Sequence, residues 1–242
     1  MKITLPDESI KELPIGTTGL DVALSIGPGL AKSAVAVNID GVQKDLCDPI
    51  DRDCSLSIIT LDSEEGLEIM RHTVAAQVLA LAIKNIYPDA KLAIGPTIEN
   101  GFYYDFLTQK TISTEDLPKI EDEMRKIIQE KSTIKKSLHD KNNAIGFFEN
   151  RSEDYKIKII EESEQSDHFQ IYSNEDADFI DLCRGPHLPD LNHIGAFKLT
   201  KVSGAYWKGD SSNEMLTRIY GTAWRTKKEL DAYLTQLEEA EK

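Results

Sequence analysis

Residues 62–88 read DSEEGLEIMRHTVAAQVLALAIKNIYP and predict the longest helix of the chain. Ser63 can accept a hydrogen bond from an unpaired amide at the helix start, and the acidic residues beside it suit the positive end of the helix dipole. Apolar residues recur along the stretch at helical spacing, among them Leu67, Met70, Val74 and Leu81. The sequence therefore predicts a domain boundary near residue 62, followed by a central helix that runs toward Pro88.

The residues before this boundary predict short strands around one helix. Residues 3–5 and 10–13 flank a Pro-Asp turn, and residues 34–39 precede an Asp-Gly turn, so both stretches indicate hairpins. Between them, Thr17 or Thr18 can cap a short helix that ends at a Gly-Pro-Gly sequence, and residues 55–60 supply a final strand. This order predicts a small β-grasp, ubiquitin-like domain over residues 1–62.

Residues 63–242 predict a larger α+β domain with a mostly antiparallel sheet beside the long helix. The further elements expected are strands within 91–106, helices at about 113–131 and 154–162, strands at 169–172 and 177–182, and a closing helix. The closing helix should bury Leu230, Tyr233, Leu234 and Leu237, which follow one another at helical spacing. The overall fold class expected is α+β.

Composition places the chain among soluble globular proteins. Its 242 residues suit two domains, and no apolar run approaches the roughly 18 residues that a membrane span requires. The first residues lack a basic stretch followed by an apolar one, so we expect no secretory signal and a cytoplasmic location without membrane attachment. The three cysteines contain no C-x-x-C spacing, so reduced thiols are expected.

The formal net charge of −14 argues against tight binding of nucleic acid by this chain alone. Lys and Arg must neutralise phosphates to supply most nonspecific affinity, and this chain has too few of them relative to its acids. If its substrate is an RNA, other parts of a larger protein must hold most of it.

The stretch Cys183-Arg184-Gly185-Pro186-His187 is the sharpest local feature. Its Gly-Pro pair excludes a helix interior, so a turn at a strand end should present the thiol and the imidazole. Such a pair can bind a metal, act as nucleophile and base, or be purely structural. Asp181 should face the same side of the strand as Cys183, because side chains alternate along a strand.

Polar residues on the predicted helices are further candidates. Thr73 and Gln77 lie four residues apart and should share a helix face, whereas His72 has only an alanine beneath it. A lone histidine on an apolar helix can equally be a core or rim residue. Lys156, flanked by apolar residues, can act as a desolvated base that orients water, or can extend to the surface. Tyr104 can offer its hydroxyl to a ligand or belong to the core.

Several motifs in fixed order carry a resemblance over essentially the whole chain. They are Ile94-Gly95-Pro96, Glu99-Asn100-Gly101-Phe102-Tyr103-Tyr104-Asp105, Asp181-Leu182-Cys183-Arg184-Gly185-Pro186-His187, Gly204-Ala205-Tyr206-Trp207-Lys208-Gly209-Asp210 and Arg218-Ile219-Tyr220-Gly221-Thr222-Ala223-Trp224. Together they resemble the amino-terminal part of bacterial threonyl-tRNA synthetases. The resemblance implies a ubiquitin-like TGS domain and an editing domain, with the second additional domain motif at about 170–224.

The activity that the resemblance implies is editing, the hydrolysis of serine wrongly attached to tRNA(Thr). Serine lacks one methyl of threonine, which changes binding by only about 1–3 kcal/mol, so a synthetic site cannot exclude serine well and a second site must remove it. An alternative is a noncatalytic tRNA-positioning module with a decayed site. A third reading is a zinc-dependent hydrolase that uses Cys183, His187 and His72.

The resemblance also implies roles for individual residues. Lys156 matches a lysine that activates water, Asp181 and His187 match residues of the amino-acid pocket, and Cys183 belongs to the same motif. The substrate-binding residues that it implies are Tyr104, Gly95 and Ala93. No metal or cofactor is expected for editing; zinc and ATP are expected only in an aminoacylation domain, which this chain lacks. The expected partner is the acceptor end of tRNA(Thr) carrying serine, and the full-length synthetase should be a homodimer.

One stretch departs from the resemblance. The family usually has His-x-x-x-His on the long helix, and matching from the left places His72 and Ala76 at those positions. Matching backward from Pro88 places Thr73 and Gln77 there instead, because this chain has one extra residue between. The backward match is preferred for the helix beyond residue 77, since a packed helix offers no simple way to absorb an extra residue. Either way at least one histidine is missing, which puts water activation in doubt, although His72 could occupy the vacant place.

Overall fold

A computed structural model of the protein describes residues 1–242. The first unit, residues 1–60, contains strands β1 (Lys2–Thr4), β2 (Ile10–Glu12), β3 (Ala34–Ile39), β4 (Val42–Asp45) and β5 (Cys54–Thr60), with helices α1 (Gly19–Ile26) and α2 (Pro28–Ser33). The sheet has the order β2-β1-β5-β3-β4, in which only β1 and β5 run parallel. This is the β-grasp arrangement that the sequence predicts.

Local chemistry sets the ends of the elements in this unit. Thr18 caps α1 by accepting from the Asp21 amide while the Asp21 carboxylate accepts from the Thr18 amide, which satisfies two otherwise unpaired donors. Asp40 and Gly41 both have positive φ, at 49° and 82°, in the tight turn that joins β3 to β4. Eleven buried apolar residues, with Val22 of α1 among them, form the core of this unit.

The second unit, residues 61–242, is built on helix α3 (Glu64–Ile86). Ser63 caps it by accepting from the Gly66 amide at 3.0 Å. The middle of α3, Val74–Leu79, is π-helical, with hydrogen bonds that each enclose one more residue than in an α-helix. A π-helical turn can accommodate one extra residue within a packed helix, contrary to the expectation from the sequence.

Helix α3 lies in the interior of the protein. By length and composition it is the one helix that could cross a membrane, but 89% of its most apolar window is buried within the protein. It belongs to a core of 33 buried residues, to which Val35, Ala36 and Ile59 of the first unit also contribute. The two units therefore share apolar contacts, and α3 has the character of a core helix.

Two antiparallel sheets complete the second unit. The remaining strands are β6 (Lys91–Leu92), β7 (Thr97–Ile98), β8 (Gly101–Leu107), β9 (Ile134–His139), β10 (Phe169–Asn174), β11 (Ile180–Leu182), β12 (Ala196–Tyr206) and β13 (Met215–Trp224). The larger sheet has the order β12-β13-β8-β6, with β7 also paired to β8, and the smaller sheet has the order β11-β10-β9. All these pairs are antiparallel, which confirms the predicted α+β class.

The other helices of the second unit are α4 (Leu117–Gln129), α5 (Lys141–Glu149), α6 (Asp154–Glu162) and α7 (Lys227–Ala240). Helix α6 has the predicted bounds, whereas α5 and β9 were not predicted. The expected burial of the closing helix is wrong beyond Leu230: Tyr233 and Leu234 are half-buried and Leu237 is 38% exposed, because α7 packs mainly through Leu230.

Candidate functional site

A cavity of about 1020 Å³ lies between α3, α6, β11 and the turn that follows β11. Its walls include His72 and Ala76 from α3, Gly95 from the segment after β6, Lys156 from α6, and Asp181 and Cys183 from β11 and the turn. The long helix and the Cys-His turn thus share one cavity, as the sequence predicts. Fourteen of its 25 lining residues have polar or charged side chains, while the exposed surface of the cavity is more apolar than polar, so the cavity suits a ligand with both kinds of group.

Lys156 and Asp181 form a buried ion pair in the wall of this cavity. The Lys156 Nζ lies 2.7 Å from Asp181 Oδ1, and their side chains are only 4% and 2% exposed. Lys156 also donates to the Ala93 carbonyl oxygen at 2.6 Å. An ammonium has three N–H donors, so one remains for a ligand. Lys156 is therefore not a lysine that extends to the surface.

Asp181 is held by further donors. Its Oδ1 accepts from the Leu182 amide at 2.8 Å, and its Oδ2 accepts from the Tyr104 hydroxyl at 3.3 Å. Burial, reinforced by the Asp181 charge, raises the pKa of Tyr104 well above 10, so the phenol stays protonated and can donate. Tyr104 is fully buried behind the ion pair rather than on the cavity wall.

The predicted substrate-binding residues differ in their placement. Gly95 lies on the cavity wall, where an added Cβ would come within 2.2 Å of the Tyr104 ring. Ala93 is fully buried and supplies the carbonyl that holds Lys156. Ala93 and Tyr104 therefore support the ion pair, and Gly95 leaves the space in which the Tyr104 ring packs.

His72, Cys183 and His187 form a second cluster beside the ion pair. Their ligand atoms all lie within 4.8 Å of one another, and His72 Nε2 contacts Cys183 Sγ. Burial lowers the pKa of His72 below 6.5, against the opposing effect of the Asp181 charge, so the imidazole is neutral at pH 7 and can accept a proton. The number of ligands also equals that of a catalytic zinc site, which uses three protein ligands and a water.

Of these three residues, only His187 does not line the cavity. Its ring stacks on Tyr172 with centroids 3.8 Å apart and an interplanar angle of 17°. The side chain is buried and neither ring nitrogen has a hydrogen-bond partner in the protein. Its backbone amide donates to Asp45 Oδ1 of the first unit at 2.9 Å.

The structure does not bring Thr73 and Gln77 to the cavity. Thr73 Oγ1 donates to the Ile69 carbonyl at 2.8 Å and accepts from the Leu188 amide at 2.9 Å, while Gln77 is buried without a partner. His72 and Ala76 line the cavity instead, so the match from the left describes this face of α3. The π-helical segment Val74–Leu79 lies where the two matches diverge.

Two residues that hold His187 have no local signal in the sequence. Tyr172 lies within a predicted strand, but nothing in its neighbourhood indicates that its ring stacks on a histidine. Asp45 lies 142 positions from His187, in another unit, and an isolated aspartate is usually a solvated surface residue. Only the tertiary structure shows these contacts.

Comparison with known proteins identifies two families within the chain. Residues 1–60 match the TGS domain, and residues 170–220 match the threonyl and alanyl tRNA synthetase second additional domain. Both matches fall within the two regions to which the sequence motifs assign them.

Similar proteins cover the whole chain. The threonine–tRNA ligase of Paramagnetospirillum magneticum is 53% identical over 242 residues, which are 99% of this chain and 38% of that protein. The corresponding ligases of Francisella philomiragia and Acidithiobacillus ferrooxidans are 50% and 48% identical, over 38% and 37% of their lengths. The chain thus spans well under half the length of the curated relatives that it matches. These similarities confirm the resemblance drawn from the motifs.

Proposed function

Because the chain combines a TGS domain with the second additional domain of threonyl and alanyl tRNA synthetases, as the amino-terminal part of threonine–tRNA ligases does, we propose that it hydrolyses seryl-tRNA(Thr). The observation that carries this proposal is the buried pair of Lys156 and Asp181, which lies in the wall of the cavity beside a neutral histidine. A charged donor and a proton acceptor in one cavity are the two groups that ester hydrolysis requires.

The proposed reaction moves one proton and exchanges two bonds. A water molecule attacks the carbonyl carbon of the seryl ester, His72 accepts a proton from that water, and a tetrahedral oxyanion forms. The bond from this carbon to the ribose oxygen then breaks, and the proton passes from His72 to the departing oxygen. The products are serine and tRNA(Thr) with a free terminal hydroxyl.

Lys156 has the role of a fixed donor in this scheme. Asp181 and the Ala93 carbonyl hold its ammonium in place, so the third N–H requires no reorganisation when negative charge develops on the ester oxygen. Such preorganised donors typically contribute 10²- to 10³-fold to the rate, or about 3–4 kcal/mol. Cys183, in contact with His72, keeps the imidazole in a fixed orientation.

The cavity volume fits the acceptor end of a charged tRNA better than a free amino acid. At about 1020 Å³, it is large enough for a terminal adenosine together with its amino acid. The net charge of −14 makes it unfavourable for the chain to contact much of the phosphate backbone. We therefore propose that only the acceptor end of tRNA(Thr) enters the cavity. From the similarity to threonine–tRNA ligases, we also propose that the protein acts in the cytoplasm as part of a homodimeric synthetase.

Deacylation by the 242-residue chain tests this proposal. Release of labelled serine from seryl-tRNA(Thr) should exceed the uncatalysed rate, and release of threonine from threonyl-tRNA(Thr) should exceed it far less. Lys156→Met should lower serine release by about 10²-fold or more, because it removes the donor while keeping the length of the side chain. Lys158→Met, an exposed lysine on the same helix, is the matched control and should retain full activity.

The alternative outcomes are distinct. Serine release no faster than in buffer would favour a noncatalytic module that positions tRNA, with Ala76 in place of a second histidine as the reason for the loss. Equal release of serine and threonine would retain hydrolysis but refute the proposed selectivity.

A second candidate is hydrolysis that depends on zinc, favoured by the convergence of His72, Cys183 and His187. These residues would hold the ion, which would supply a hydroxide at neutral pH. Metal analysis of the purified chain distinguishes the candidates: one zinc per chain, lost in His187→Ala together with activity, would support the zinc site over the water-based one.

A further inference from the structure

We propose that Asp45 of the TGS domain is a positioning residue for the hydrolytic site of the second unit. Its carboxylate holds both the backbone of His187 and the aromatic ring on which that imidazole stacks. This inference rests on the proposed deacylation for its kinetic consequence, whereas its structural consequence can be measured independently. It assigns to the first unit a direct part in arranging the site.

The Asp45 carboxylate is only 5% exposed and contacts three groups of the second unit. Its Oδ1 accepts from the His187 amide at 2.9 Å, and its Oδ2 accepts from the Tyr172 hydroxyl at 2.5 Å. Its Oδ2 also accepts from Lys136 Nζ at 3.0 Å. The carboxylate is therefore paired at both oxygens, as burial of a charge requires.

The groups that face Asp45 are a cation and two hydrogen-bond donors. Although burial opposes it, the neighbouring Asp45 and Asp48 carboxylates raise the pKa of Lys136, so this lysine is charged at neutral pH. Burial and the Asp45 charge also raise the pKa of the Tyr172 hydroxyl, which keeps it a donor. A cation and two neutral donors thus face one carboxylate, which strengthens each hydrogen bond.

The Tyr172 hydroxyl transmits this contact to the turn. Gly185 has a φ of +66°, and a Cβ added there would lie 2.0 Å from Tyr172 Oη. The turn therefore lies directly against the hydroxyl that Asp45 holds. The Tyr172 ring supports the His187 ring from one side, while His72 meets it edge-on at 4.9 Å from the other. Without the Asp45 carboxylate, the His187 amide and the Tyr172 hydroxyl both lose their hydrogen-bond acceptor in the first unit.

Asp48 provides a control that distinguishes the positioning of His187 from a general contact between the two units. It also pairs with Lys136, at 2.7 Å, and accepts from the Asp45 amide at 3.1 Å. It has no hydrogen bond to the turn or to Tyr172. A substitution at Asp48 therefore weakens the same interface between the units but leaves the direct contacts to His187 in place.

The test compares Asp45→Ala, Asp45→Asn and Asp48→Ala in the full 242-residue chain. Asp45→Ala should lower kcat for seryl-tRNA(Thr) deacylation by about 10- to 100-fold with little change in KM, because the His187 ring that packs against the His72 imidazole loses its support while the cavity remains. Asp45→Asn should recover part of the loss, since its amide oxygen can still accept from His187. Asp48→Ala should stay within about twofold of the wild-type kcat, because Asp45 keeps its hydrogen bonds to His187 and Tyr172.

Hydrogen exchange of the His187 amide, followed by NMR, measures positioning without any activity. Asp45→Ala should accelerate its exchange by about 10-fold, the factor that corresponds to about 1.4 kcal/mol, and Asp48→Ala should not. If the wild-type chain released no serine, the proposed deacylation would fail while this measurement still tested Asp45. Unchanged exchange in Asp45→Ala, or equal loss of kcat in Asp45→Ala and Asp48→Ala, would overturn the inference.

Discussion

Replacing Lys156 by methionine should destabilise the protein strongly, apart from any effect on activity. The substitution keeps an unbranched side chain of similar length, so little packing is lost. It leaves the Asp181 carboxylate, with a side chain only 2% exposed, without its cation. Breaking a buried pair in this way costs about 3–5 kcal/mol, because the remaining charge is desolvated and uncompensated. This is a large fraction of the roughly 5–15 kcal/mol that stabilises a typical domain.

The remaining contacts of Asp181 determine how much of this cost a second substitution can recover. Asp181 still accepts from the Leu182 amide and the Tyr104 hydroxyl. Asparagine has no charge and can accept one of these bonds through its Oδ1, while its amide group can donate to the Tyr104 hydroxyl oxygen. Asp181→Asn in the Lys156→Met background should therefore restore about 1–3 kcal/mol. The double variant should thus be more stable than Lys156→Met alone.

Urea unfolding followed by tryptophan fluorescence measures these free energies. Lys91→Met is the matched control, because Lys91 pairs with Asp154 of the same helix but the two side chains are 34% and 53% exposed. An exposed pair contributes about 0–1 kcal/mol, so the control should stay close to the wild type. A cost for Lys156→Met no larger than that of Lys91→Met, or a double variant no more stable than the single one, would refute the reasoning from burial.

Two further predictions concern other parts of the site. Because burial lowers the pKa of His72 below 6.5, the unfolded chain binds this proton more readily, so the free energy of unfolding should decline as the pH falls below 6.5; His72→Gln should show a shallower decline in urea titrations. Gly95→Ala should cost about 1–3 kcal/mol, because its Cβ would lie 2.2 Å from the Tyr104 ring. Gly146→Ala, in a helix with nothing within 4 Å of the added Cβ, should instead stabilise by about 0.5–1 kcal/mol in the same assay.

Much of the fold follows from patterns within short stretches of sequence. Thr18 and Ser63 mark helix starts because their side chains satisfy unpaired amides, and the structure uses both as caps. Helix α5 escaped prediction because asparagines and Gly146 are weak helix formers, although Asp140 caps it. A capping residue predicts a helix start only when strong helix formers follow it in the sequence.

The predicted site is harder to read from sequence, for two physical reasons. All residues of the Val74–Leu79 segment are buried, and its one polar residue, Gln77, does not line the cavity, so polarity does not reveal which face meets the cavity or that one turn is wider. Asp45 ends a short, mostly exposed strand, and it is buried by Lys136, Tyr172 and the backbone of His187, which lie 91 to 142 positions later. Contacts of this separation depend on the assembled fold, and a single sequence does not show them.

The wide turn in α3 also affects how related sequences should be compared with this one. An alignment drawn from the start of the helix matches residues by the cavity that they face, and one drawn from its end matches them by the apolar core. A relative whose helix has one residue fewer here would match the first half of α3 in one register and the second half in the other. A single alignment of that relative would therefore need a gap to match both halves. Where a relative has one residue fewer between Arg71 and Pro88, the gap belongs within the wide turn.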